Sequence, residues 1–401
     1  MDRIKQMAGR MSLILFIFML ASCAGIFSKF MTQHPAALKR AISLLTTDLL
    51  NQVKEDWDSS GRQGQIRIML VPFMDRYSGE VPEVSRNIEK IIIEKGRQYL
   101  KDVRLERLTS KNLSVADYII DGVVGLDSLK TVDPSDPERH FHVSAIVRNL
   151  EKIRIIGKSD AWISDLDLNY RPAGIHRDSP LYIKDKRLKN LTNIEKNHNN
   201  NRTDEEYFDS LEIKATWIEA ETAYEERDYQ TALSLFEKAS INRDGQVLRT
   251  YIGLYLTHQK LGNWDETEKA LAKIVSISVE KYNMLTFKFV FDVNSVSLWG
   301  DEGRYDVWLR QIGKYFQGTH HCLKIVGHCS NTGPETWNNR LSLDRAEFIR
   351  KRLQESFSEV MQRSRTIGKG FSENIVGIGT DDERDALDRR VEIIIVGCGE
   401  I

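Results

Sequence analysis

Along this chain the apolar positions switch repeatedly between a period near 3.6 and a period of 2. Over 36–53 they fall at Leu38, Ile42, Leu45 and Leu49, one face of a helix, and Ser59-Ser60-Gly61 breaks the pattern. Residues 65–73 (QIRIMLVPF) are an apolar run that predicts a strand. Helical spacing returns at Val84, Ile88, Ile91, Ile92 and Tyr99. Strands are predicted over 103–108 and 116–129, and the alternating stretches 141–150 and 153–163 predict a hairpin turning at Glu151-Lys152. Residues 171–210 are different: NHNNN at 197–201 and a basic run at 184–189 cannot bury enough apolar area to offset their ordering entropy. They read as a linker, and the charge run as a solvated tether.

Beyond the linker, 211–282 repeats itself. Asp228-Tyr229 superposes on Asn263-Trp264 at an offset of 35 residues. Ala220, Tyr224, Ala232, Phe236 and Ala239 in the first unit, and Leu254, Gly262, Trp264 and Leu271 in the second, alternate small with large. That pattern resembles the tetratricopeptide repeat (TPR), which pairs two helices about every 34 residues. It implies either a groove for a partner peptide or a helical spacer. Two repeats are fewer than the three or so needed for independent stability, so they must lean on the linker, the next domain or a second chain. From 284 the order is strand (285–292), helix (301–315), strand (322–326), helix (338–357) and two strands (375–378, 391–396).

The first residues belong to none of these units. Arg3, Lys5 and Arg10 precede a short apolar stretch, 11–21, interrupted only by Ser12, and Leu20-Ala21-Ser22-Cys23 follows. This resembles the signal peptide and lipobox of bacterial lipoproteins, with Cys23 as the lipidated residue. Ala24 in place of Asp favours sorting to the outer membrane. The alternative, a transmembrane anchor over 11–27, sits at the lower length limit for spanning.

With 401 residues, 41% hydrophobic, 29% charged and only 8 Pro, the chain is not disordered, collagenous or polytopic. Its length suggests about two to three domains. Its 57 Lys and Arg against 58 Asp and Glu argue against a dedicated nucleic-acid binder. Four cysteines are too few for a disulfide scaffold.

The sharpest words lie at the end. "FVFDVNSVSL", "LKIVGHCSNTGPETWNNRLSLDRAEFIRKRL" and "VGIGTDDERDALDRRVEIII" occur in the order of the OmpA-like peptidoglycan-binding domain, also found in Pal and MotB, which 284–398 therefore resembles. More loosely, the strand, helix, strand, "ADYIIDGVV" order of 64–170 resembles the periplasmic domain of the CsgG/FlgO/Lpo group. The expected architecture is multidomain, α/β then α then α/β. A signal peptide (1–22) and lipidated lead-in (23–63) precede the first α/β domain (64–170), the linker (171–210), the helical repeats (211–282) and a mixed-sheet βαβαββ domain (284–398).

The residues themselves point to anion binding. Gly327 to Gly333 is a strand-to-helix turn that exposes the N–H groups opening a helix. Asn338, Leu341, Ser342 and Arg345 form one stripe down that helix. Arg345 is expected at a cleft rim, its stem packed and its fork presented, since a guanidinium grips a carboxylate bidentately. In the family, the Arg of this motif takes the carboxylate of diaminopimelate in the stem peptide, and an Asp of the turn takes the ammonium. The Arg position is Arg345; the Asp position is Ser330. Losing that charge trades a hydrogen bond of ~1.5–3 kcal/mol for one of ~0.5–1.5, roughly tenfold weaker binding. Asp388 is a weak candidate for a replacement acid. The expected peptidoglycan site is Ser330, Asn331, Thr332, Gly333, Asn338, Leu341, Ser342, Arg345 and Arg389. The alternatives are a surface salt bridge for Arg345, orientation of the last strand for Arg389 and Arg390, and loop or cap hydrogen bonding for Asn331, Thr332 and Asn338.

Other motifs carry less. His320-His321-Cys322 and His328-Cys329 lack metal-site spacing on a strand. Asp165-Leu166-Asp167-Leu168-Asn169 opens like a calcium loop but lacks its Gly and Glu. No phosphate loop, zinc-protease helix or nucleophile elbow occurs, so no cofactor and no enzymatic activity is expected. Of Cys322, Cys329 and Cys398, one pair can bridge in an oxidising compartment; Cys322 with Cys398 fits if the start of one strand lies beside the end of the last, and the pairing stays open. The expected protein is an outer-membrane lipoprotein facing the periplasm that binds peptidoglycan, with a protein partner at the repeats as an alternative role and no nucleic-acid partner.

Overall fold

The computed structural model describes residues 34–99, 101–128, 139–181, 207–300, 302–375, 379 and 385–401. The signal peptide, Cys23 and the apolar stretch 11–27 lie outside them, as do 182–206. No described helix is long and apolar enough to cross a membrane.

The first unit is a twisted mixed sheet in the order β3 (Val103–Arg107), β1 (Ile66–Leu70), β4 (Tyr118–Ser128), β5 (Arg139–Asn149), β6 (Arg154–Ile163), with the short β2 (Met74–Asp75) also beside β4. The β1 pairings are parallel, and β4, β5 and β6 run antiparallel. The β5–β6 hairpin turns at Glu151-Lys152, with Asn149 opposite Arg154 and a register shift at Val147/Arg148. Helix α1 (Leu38–Ser59) buries Ile42, Leu45, Leu49, Val53 and Trp57 against the sheet beside α2 (Val84–Tyr99). Gln52 fixes its depth, bonding the Lys158 backbone through both amide atoms at 3.0 Å. The expected lead-in is thus corrected: 38–59 covers the sheet, because its apolar face has no other place to be buried.

Four antiparallel helices follow, α4 (Leu211–Glu225), α5 (Tyr229–Ile241), α6 (Leu248–Leu261) and α7 (Trp264–Tyr282). The repeat's small and large positions interlock: a Cβ on Gly253 would lie 2.3 Å from the Phe236 ring. Ala220, Tyr224, Ala232, Phe236, Ala239 and Leu271 are buried, whereas Trp264 is 64% exposed. The short helix α3 (Gly174–Asp178) packs on α4 and α6. Residues 171–181, expected as the start of a linker, are therefore packed, while the charge run at 184–189 lies outside the described residues. Ala173, Ile175 and Leu181 are buried, and Leu181 bridges Phe287 of the last domain.

That last domain has a four-stranded sheet ordered β7 (Met284–Leu285), β10 (Val391–Val396), β8 (Cys322–Gly327), β9 (Ser364–Gly368). Only β8–β9 is parallel. Helices α8 (Glu302–Gln317) and α9 (Glu335–Leu353) complete it. One strand expectation needs correction. The ladder of 285–292 stops at Leu285. Phe287, Phe289 and Phe291 stay buried on alternate positions, but their backbone pairs with loops: the Lys288 N–H donates to the Pro180 carbonyl at 2.8 Å. Ser364–Gly368 is a strand that was not expected. Of the strand expected at 375–378, residues 376–378 lie outside the described residues; the Ile375 N–H donates to the Asp388 carboxylate at 2.6 Å.

One apolar core runs from α3 through the four helices into the last sheet. Tyr255 of α6 accepts a hydrogen bond from the Trp308 indole of α8 at 3.0 Å. On the other side, Tyr207, Leu211, Ala215 and Ile218 bury against Met69, Val71, Leu108 and Ile119 of the first unit. The helices therefore lean on both α/β units.

Candidate functional site

Two glycines set the site. Gly327, the last residue of β8, pairs with Gly368, the last of β9. A Cβ on Gly327 would sit 1.9 Å from the Ser342 carbonyl oxygen, and one on Gly368 2.7 Å from that of Asn339. Helix α9 thus lies directly on the two strand backbones, an approach open only to Gly. Ser342 locks it there, accepting the Gly370 N–H at 2.9 Å and donating to the Asn339 carbonyl at 3.0 Å. Its role is structural; it does not line the pocket described next.

The close approach drops Arg345 between α9 and the turn after β8. Its guanidinium is fully buried and grips three carbonyl oxygens, each at 3.0 Å: Nε to Ser295, Nη1 to His328 and Nη2 to Asp292. Nη1 also reaches the Cys329 sulfur at 3.4 Å, and the plane lies 5.1 Å from the Phe291 ring centroid. The expectation of a presented fork is corrected here: the fork clamps loop 292–295 onto the turn, and the surface salt bridge is equally displaced.

Above the guanidinium is a pocket of about 450 Å³. Ser330, Thr332, Gly333, Asn338, Leu341 and Arg345 line it, joined by Cys329, Pro334, Trp337, Val293 and Asn294. Gly333 turns with φ +77°, and the Asn338 amide ties the turn by donating to the Thr332 carbonyl at 2.6 Å and the Pro334 carbonyl at 3.2 Å. The N-terminus of α9 opens onto the same space. The ionised side chain of the described lining is Arg345. A buried guanidinium beneath a pocket onto which a helix N-terminus opens favours an anionic guest.

Of the expected residues, Asn331 is exposed and outside the lining, and Arg389 is elsewhere. Arg389 donates to the Phe291 carbonyl at 3.1 Å and lines a separate, larger cleft. Arg390 braces the last strand, bonding Glu392 at 2.9 Å and the Glu373 carbonyl at 3.2 Å. Asp388 is buried on the Ile375 N–H and does not line the pocket, so it supplies no acid there. Sequence reasoning missed Trp337 and Asn294. The Trp337 side chain is 53% exposed at the rim, with its indole N–H on Asn294 Oδ1 at 2.6 Å. The signal was present: a large aromatic one residue before Asn338, off the apolar stripe of α9.

His328 lies directly below. It is fully buried, with Nδ1 4.0 Å from Glu373 and Nε2 3.8 Å from Glu392. Burial, then the neighbouring Arg390 charge, pushes its imidazole down to about 3. Cys322 is joined to Cys398, Cα atoms 5.0 Å apart, and Cys329 is buried outside that bond. Among the described residues no His, Cys, Asp or Glu cluster could hold a metal.

No protein-family model matches the chain, and no curated protein matches it. Solved structures do. The peptidoglycan-associated lipoprotein from Burkholderia pseudomallei is 23% identical over 27% of this chain and 88% of its own, with a TM-score of 0.24. The cell wall anchor of the T6SS from Pseudomonas aeruginosa is 20% identical over 32% of this chain and 96% of its own, TM-score 0.24. The C-terminal domain of Helicobacter pylori MotB is 17% identical over 27% and 83%, TM-score 0.23. At these identities and TM-scores the reading of the site rests on its own residues.

Proposed function

We propose that the chain is a non-enzymatic envelope protein that holds peptidoglycan through residues 284–398, tethered at Cys23 by lipid to the outer membrane. The observation that carries this reading is the buried Arg345 guanidinium under a pocket lined by hydroxyls, an amide and a helix N-terminus. Such a pocket suits the carboxylate end of a stem-peptide amino acid. In this reading Arg345 contributes its charge from below, Thr332 and the N–H groups opening α9 receive the carboxylate, and Ser330 faces the ammonium. Trp337 covers the rim.

Co-sedimentation with purified sacculi tests this on the full chain. Wild type is retained, and Arg345→Lys, which keeps the charge but loses the three-carbonyl grip, and Trp337→Ala are each retained at least about fivefold less. Equal retention of all three defeats the assigned pocket. Thermal melts of each variant separate lost binding from lost folding.

A second reading, a scaffold recruiting a secretion, flagellar or cell-wall machine through TPR-like repeats, is favoured by one observation: Trp264, a large aromatic, stands 64% exposed on the helical unit. Photo-crosslinking from position 264 in cells captures a partner if this holds and only solvent products if it does not.

A further inference from the structure

The molecule holds a second concavity, of about 1180 Å³, where the first unit, segment 166–179 and the last domain meet. Its size exceeds the roughly 300–1000 Å³ that takes one small molecule. Its walls combine aromatic faces with cations. Trp299 is 53% exposed, Trp308 stands behind it, and the Arg304 guanidinium lies 5.8 Å from the Trp308 centroid. Arg304 donates to the Trp299 carbonyl at 3.3 Å and the Tyr305 hydroxyl at 2.8 Å, and forms no ion pair among the described residues. The acids of the lining are largely spent. Asp178 faces Arg177 at 3.1 Å and Lys260 at 3.5 Å, and Glu83 pairs with Arg86 at 2.9 Å, leaving Asp167. Lys288 is neutralised by Glu80 at 2.5 Å.

The cleft and the stem-peptide pocket are separated by one loop. A bridge between Phe291 and Leu298 closes it, with Val293 and Asn294 facing the pocket and Val290 and Trp299 facing the cleft. Arg345 fixes this loop through Asp292 and Ser295. One extended polymer can therefore occupy both sides of it. An indole beside a guanidinium with no ion pair among the described residues matches the apolar face of a pyranose that carries a carboxylate.

We infer that the cleft is a second wall subsite, taking the sugar backbone of the same polymer where the lactyl carboxylate carries no peptide. This rests on the peptidoglycan reading above. The test is titration of the full chain with two probes: peptide-free glycan chains, and the diaminopimelate tetrapeptide without sugar. Wild type binds the glycan. Trp299→Ala, an exposed position that leaves folding intact, and Arg304→Gln each weaken glycan binding at least about fivefold and leave the tetrapeptide within twofold. The subsite is overturned if wild type binds no glycan, or if both variants bind it as wild type does. Glycan binding that persists without any tetrapeptide binding removes the pocket reading and leaves the cleft standing.

Discussion

At the scale of single residues, Arg345 and His328 show how one turn is held together. Arg345 was legible as a candidate residue because its motif is specific. That its fork is spent on carbonyls was not legible, since those carbonyls belong to residues 17 to 53 positions away in sequence. The missing acid at Ser330 was visible in the sequence alone, whereas Trp337 gained meaning only once Asn294 was seen to hold its indole. His328 adds a pH dependence with a definite sign. Its imidazole titrates near 6.5 when unfolded and about 3 when folded. Between those values the unfolded chain binds more protons, so stability is fully present above about pH 6.5 and falls as pH drops toward 3. The loss is at most about 1.4 kcal/mol per pH unit. Denaturant midpoints measured from pH 7 to 4 should fall for wild type and fall less steeply for His328→Asn; equal slopes would show that another group carries the dependence.

At the scale of elements, the contact between α9 and the β8–β9 pair decides whether the pocket exists. Gly327→Ala places a methyl group on the Ser342 carbonyl, so the helix must lift. The expected result is a loss of several kcal/mol, in the range of overpacking or more, together with weakened sacculus binding as Arg345 leaves its carbonyls. Chemical denaturation checks it, and an unchanged midpoint would mean the helix does not sit this close. The periodic elements of the first unit could be read from sequence because alternation and helical spacing there coincide with burial. Strand Ser364–Gly368 could not: its SRTIG pattern is polar, and its pairing with β8 is set by the helix above it rather than by its own hydrophobicity. The alternating phenylalanines at 287, 289 and 291 were legible as buried but not as lacking a ladder, because their backbone partners are loop residues.

At the scale of the whole molecule, the shared core and the buried Lys288–Glu80 pair join units that the sequence presents as beads on a string. Burial pushes the Glu80 carboxyl up, against the pull of Lys288, so the pair is costly to break by removing one partner. The Cys322–Cys398 bond closes a span of 76 residues within the last domain, adding roughly 4 kcal/mol by the loop-entropy estimate. Both features make the full chain, rather than an excised domain, the object to measure. Calorimetric titration of that chain with the diaminopimelate tetrapeptide, wild type against Ser330→Asp, addresses the pocket most directly. If Arg345 faces the carboxylate and position 330 the ammonium, the restored acid should tighten binding about tenfold. Unchanged or weaker binding in Ser330→Asp would contradict that orientation and the role assigned to the pocket.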